Sequence, residues 1–102
     1  IQCIREGMSP GRLMTASLGL CSALHAAWYL YRHNITAKDL SVDVSSVNAS
    51  APSRAISFDV TVNVDAPLDD RERKGLLAEV NRCYVANTMR DEPEINVNLN
   101  IP

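Results

Sequence analysis

The sequence predicts an α+β fold, and three observations carry that reading. From Leu13 to Tyr31 there are 19 residues without a Lys, Arg, Asp or Glu, which marks a helix covered on several sides. Residues 40–45 and 56–65 alternate apolar with polar side chains, as strands with one wet face do. Leu76, Leu77, Val80, Cys83 and Tyr84 then recur at helical spacing. The order helix, strand, strand, helix, strand has no repeating strand–helix unit, so an antiparallel sheet is expected. A chain of 102 residues, 46% apolar, makes one domain spanning residues 1–102. Its core is small and would gain from a partner subunit.

Residues 1–8 read as the end of a strand entering a Gly-containing turn. Ser9-Pro10 is an N-cap followed by proline at the first helical position, where the missing N–H costs nothing. Arg32, His33 and Asn34 close the first helix with cations and a left-handed cap, giving a helix over residues 10–33. Its length approaches that of a membrane span. Thr15, Ser17, Ser22 and His25, with frequent Ala and Gly, favour packing inside a protein instead.

Leu40, Val42 and Val44 share one strand face; Ile56, Phe58, Val60, Val62 and Val64 share another. The polar stretch Ser46 to Arg54 joins them as the long loop of a hairpin. Asp69 or Asp70 caps a second helix whose apolar face extends to Ala86 or Asn87. Arg71, Arg73, Lys74 and Glu79 fall on its opposite face. After Pro93, the alternation of Ile95, Val97 and Leu99 predicts a last strand.

Composition excludes several functions. Ten basic against 12 acidic residues, a net charge of −2, argue against a nucleic-acid or anionic-membrane binder. Three cysteines are too few for a disulfide-stapled mini-domain or a zinc finger. Gly-rich phosphate loops and nucleophile elbows are missing from the sequence. The sequons Asn34-Ile35-Thr36 and Asn48-Ala49-Ser50 read as chance occurrences.

The cysteines stand out. Met14, Leu18, Cys21, His25 and Trp28 form one stripe on the first helix, and Cys83 lies on the inward face of the second. Two such thiols can meet in the core, although free Cys is also a common buried hydrophobe. Cys21 and His25 are too few ligands for a metal. His25, one turn away, is instead a candidate for lowering the Cys21 pKa.

The stretch Ser9-Pro10-Gly11-Arg12-Leu13-Met14-Thr15-Ala16-Ser17-Leu18-Gly19-Leu20-Cys21 resembles the helix motif of the OsmC/Ohr family, the osmotically inducible and organic-hydroperoxide-resistance proteins. Asn81-Arg82-Cys83-Tyr84-Val85 resembles that family's second cysteine, usually followed by Pro-Val. The element order agrees, and the resemblance covers about residues 9–100. It implies an OsmC-like fold with a long central buried helix and a second helix packed on an antiparallel sheet, in an intertwined cytoplasmic homodimer. It also implies a thiol peroxidase for organic hydroperoxides, with Cys21 peroxidatic and Cys83 resolving. No cofactor, nucleic acid or membrane is expected; an external dithiol restores the thiols.

Three departures accompany the resemblance. Gly11 and Arg12 stand where the family commonly has an acidic residue that works with an N-terminal arginine. Arg12, nine residues before Cys21, falls on the opposite helix face and about 13 Å away along the axis. Arg5 and Glu6 precede the helix as candidates for that role, with no position fixed by the sequence, and the family's N-terminal strands are mostly missing from residues 1–102. Tyr84 replaces the usual proline, so the second helix is expected to run straight on past Cys83. A non-catalytic OsmC-like dimer that binds an apolar small molecule, or serves assembly, is the alternative. A redox sensor in which Cys3 resolves Cys21 is a third reading.

Overall fold

The computed structural model describes residues 9–101. The expectations for residues 1–8, among them Cys3, Arg5 and Glu6, lie outside the described residues. Helix α1 spans Pro10–Arg32. The Ser9 hydroxyl accepts the Arg12 amide at 3.2 Å, so the cap read from Ser9-Pro10 is formed. At the other end the Ile35 amide donates to the Leu30 carbonyl at 2.9 Å and the Asn34 amide to that of Tyr31 at 3.2 Å. Asn34 is left-handed, with φ 54°, which completes a Schellman cap.

β1 (Leu40–Ser50) and β2 (Ser53–Val64) form one antiparallel hairpin. Val42 pairs with Val62 and Val44 with Val60, stacking aliphatic side chains on the face that meets α1. The expected long loop is not there: β1 continues through Ser46–Ser50, past a register shift at Val47/Asn48, and only Ala51 and Pro52 separate the strands. The polar residues that looked like a loop are strand because the backbone ladder extends beyond the covered face, where no apolar alternation is required. Gly19 lets α1 close on the sheet; a Cβ there would sit 3.1 Å from Val44 Cγ2.

Helix α2 (Asp70–Val80) begins at a capping box. Asp69 Oδ1 accepts the Glu72 amide at 2.7 Å, and Glu72 Oε1 accepts the Asp69 amide at 3.1 Å. Its inward residues are Leu76 and Val80, whereas Leu77 is exposed. The helix does not run on past Cys83. Asn81 and Arg82 turn the chain, Cys83 adopts φ −56° and ψ 124°, and a separate helix α3 (Tyr84–Arg90) starts there. No proline is needed, because Cys83 itself leaves helical geometry and its Sγ accepts the Ala86 amide at 3.5 Å.

The core gathers Ala26, Tyr29, Leu30, Leu76 and Val80 between α1, α2 and the hairpin, with Leu18 and Cys83 buried nearby. By length and composition α1 is also long and apolar enough to cross a membrane. Here its Leu18–Leu30 face packs on the hairpin and α2, and its other side stays bare. Leu20, Leu24, Trp28 and Tyr31 are 44–84% exposed. The last predicted strand is not paired: among the described residues the sheet has only β1 and β2. Ile95, Val97, Leu99 and Ile101 are 74–91% exposed, because period-two alternation makes a strand only where another strand supplies hydrogen bonds.

Candidate thiol site

Two elements converge to make the site. Cys21 lies midway along α1 and is partly exposed, while Cys83, the cap of α3, is completely buried. Neither is in a disulfide. The helix start places backbone N–H groups beside Cys21. Burial pushes the Cys21 thiol up, but hydrogen bonds from the Cys83 thiol and from the Val85 and Tyr84 amides outweigh it, and its pKa falls below the ordinary thiol value. Burial pushes the Cys83 thiol up, and donating to Cys21 pushes it further. The accessible sulfur is thus the more readily ionised of the two and the buried one the less.

The two thiols picked out in the sequence lie near each other. His25 is not what lowers Cys21. Its Nδ1–H donates to Glu79 Oε2 at 2.8 Å, and its ring meets Trp28 edge-on at 5.0 Å between centroids. Glu79 is turned inward, contrary to its expected place on the polar face, with its side chain only 11% exposed. Its other oxygen accepts from Arg32. The hydrogen bond from His25 is the main reason its pKa is lowered, and Arg32 adds to that against the cost of burial. Sequence reading missed Glu79. A polar His25 on an apolar stripe requires a partner, and that was the available signal. Among the described residues no group of three metal-ligating side chains occurs.

A cleft of about 480 Å³, lined by neither cysteine, opens between β2 and the helices. Leu18, Ser22, Val80 and Ala86, which flank the two cysteines in the chain, line it together with Phe58 and Val60.

The chain matches the family of OsmC-like proteins over residues 5–98. No curated protein matches it significantly. Three solved structures share the fold. An OsmC-like hydroperoxide resistance protein from Jannaschia sp. CCS1 superposes with a TM-score of 0.77 at 18% identity, covering 94% of this chain and 69% of that one. An OsmC-like protein from Mycoplasma pneumoniae gives 0.73 at 20% identity, over 94% of this chain and 72% of its own. A Psychrobacter arcticus protein assigned to the osmotic stress and detoxification response gives 0.72 at 24% identity, over 78% of this chain. This chain spans 58% of the length of the Psychrobacter protein.

Proposed function

Because this chain belongs to the OsmC-like family, we propose that it is a thiol-dependent peroxidase that reduces organic hydroperoxides at Cys21 and resolves the product with Cys83. The observation that carries the reading is the asymmetry of the two thiols: the partly exposed Cys21 is shifted toward easier ionisation and the buried Cys83 away from it. The Jannaschia protein's description as a hydroperoxide resistance protein supports the same chemistry.

The cycle follows from that asymmetry. The Cys21 thiolate attacks one oxygen of ROOH; the O–O bond breaks, RO⁻ departs and takes a proton as ROH, and Cys21 becomes a sulfenic acid. Cys83 then loses its proton and its sulfur attacks the Cys21 sulfur. Water leaves, and the two cysteines form a disulfide that an external dithiol reduces. The backbone N–H groups of Tyr84 and Val85 supply the stabilisation that the family's acidic residue and arginine would give. The Leu18, Phe58 and Val60 part of the cleft is the surface offered to the organic part of the substrate. Cys21→Ser is expected to abolish hydroperoxide consumption. Cys83→Ser is expected to allow one turnover and to leave a sulfenic acid on Cys21 that dimedone labels. Consumption by Cys21→Ser at the wild-type rate would leave the non-catalytic, apolar-ligand reading as the one to keep.

The working particle in this proposal is a homodimer. The accessible surface of the chain is 8232 Å², against roughly 5,700 Å² for a compact protein of this mass. Its radius of gyration is 17.0 Å, against about 13 Å for a compact 100-residue domain. The bare side of α1 and the unpaired apolar residues 95–101 lack cover, and a second copy with the same needs satisfies them reciprocally. Sedimentation at micromolar concentration is expected to give the dimer mass; a folded monomer would refute it.

A further inference from the structure

We propose that Glu79 and His25 are positioning residues for the thiols, their hydrogen bond fixing how close Cys83 comes to Cys21. The proposal rests on the reading of these cysteines as a redox pair. It starts from a regularity in how α1 meets the chain from α2 onward. Gly75 lies under the Tyr29 ring and Glu79 accepts from His25, and Cys21 and Cys83 occupy the next step of the same register. Along α1 the partners step back by four residues, and along the other segment they step forward by four. This is the spacing of two antiparallel helices meeting turn by turn. The thiols are the third rung, yet they fall beyond the helix that sets the first two.

That position makes the middle rung decisive. Helix α2 ends at Val80, one residue after Glu79. Only Asn81 and Arg82 then intervene before Cys83. These residues are held locally, by the Cys83 amide on the Val80 carbonyl at 3.2 Å and by Arg90 Nη2 on Asn81 Oδ1 at 3.1 Å. Neither bond reaches α1. Among the described residues, Glu79 is the last side chain before Cys83 that hydrogen-bonds to α1. Both its oxygens are used on α1 side chains, His25 being the more shielded at 17% exposed and Arg32 the more open at 56%. The shielded bond is the less screened by solvent and the one that fixes position. His25 sits one turn from Cys21, so displacement at this rung passes directly to the next.

The test measures the thiol–disulfide equilibrium of the full chain against glutathione, in a Cys3→Ser background so that only this pair is counted. Two Cys thiols and oxidised glutathione give the Cys21–Cys83 disulfide and two reduced glutathiones, and the equilibrium constant is the effective concentration of one thiol at the other. His25→Leu and Glu79→Gln are each expected to lower it at least tenfold. His25→Asn, whose amide N–H takes the place of Nδ1–H, is expected to restore it. An unchanged effective concentration in the Leu and Gln variants overturns the proposal, even if both melt at lower temperature, since that is the signature of a stabilising staple only. Because no hydroperoxide is used, failure of the peroxidase reading registers separately, as a Cys21 that does not consume peroxide. If His25→Leu does not fold, Glu79→Gln, which keeps the side-chain shape, reads the same bond from its other end.

Discussion

At Cys21 the stabilising donors are two peptide N–H groups and one thiol, which makes the effect of its neighbour measurable by itself. The Cys83 thiol is the largest of the influences that lower Cys21. Removing a donor from an anion disfavours the charged form, so Cys83→Ala is expected to move the midpoint of Cys21 alkylation by iodoacetamide to higher pH. Cys83→Ser, which keeps an O–H donor, is expected to move it less. Equal profiles in all three proteins would show that the amides of Tyr84 and Val85 suffice. Both cysteines were legible in the sequence, from the stripe on α1 and the spacing after Asp69. What tunes them was not, because a peptide N–H belongs to every residue but proline and leaves no mark in composition. The same limit explains the misplacement of Glu79. A carboxylate near the end of a charged helix is ordinarily solvated, and only the position of His25 across the helix contact draws it in. Its lowered pKa carries a sign for stability: the contribution is present above the ordinary carboxylate range and is lost as pH falls through the folded-state value. Acid denaturation followed by circular dichroism is expected to show this loss in the wild type, with a shallower dependence in Glu79→Gln.

Between elements, the contact of α1 with α2 depends on a missing side chain. A Cβ on Gly75 would lie 2.9 Å from both Cε2 and Cζ of Tyr29. That ring cannot easily retreat, being buried and stacked on His33 at 4.1 Å between centroids. Alanine is the better helix former by about 1 kcal/mol, whereas overpacking costs about 1–3 kcal/mol. Gly75→Ala is therefore expected to be destabilising by about 1 kcal/mol, read as a lower urea midpoint with unchanged slope. A stabilised variant would mean that the ring moves freely. The helix caps were legible at this scale because Ser9-Pro10, Asn34 and Asp69 act through local chemistry. The break at Cys83 was not, since the residues Asn81 and Arg82 tolerate both helix and turn. Apolar alternation gave the covered part of the hairpin correctly and was silent about Ser46–Ser50, where the ladder continues without a core beneath it. It also promised a strand at Ile95–Leu99, which tells what the side chains need and not where the pairing partner is.

For the molecule as a whole, the charge-free run in α1 announces a helix with no watery side, and one chain supplies cover for one side alone. Leu24, 44% exposed, lies in the bare surface away from the thiols' hydrogen bonds. In the proposed homodimer, Leu24→Glu would bury a carboxylate against a like carboxylate or leave it unpaired in an apolar contact, and either outcome costs several kcal/mol per dimer. Sedimentation of that variant is expected to show loss of the dimer, with the liberated chains aggregating. A native-sized dimer would place the contact elsewhere. The bare flank of α1 also governs how this protein meets heat. If each copy is finished only by another, unfolding and separation are one event, and the balance contains the amount of protein. Each tenfold dilution then removes about 1.4 kcal/mol of stability per mole of dimer. Its heat tolerance becomes a property of the population: abundance in the cell sets the temperature at which the chain survives, and a sparse sample melts while a dense one stands.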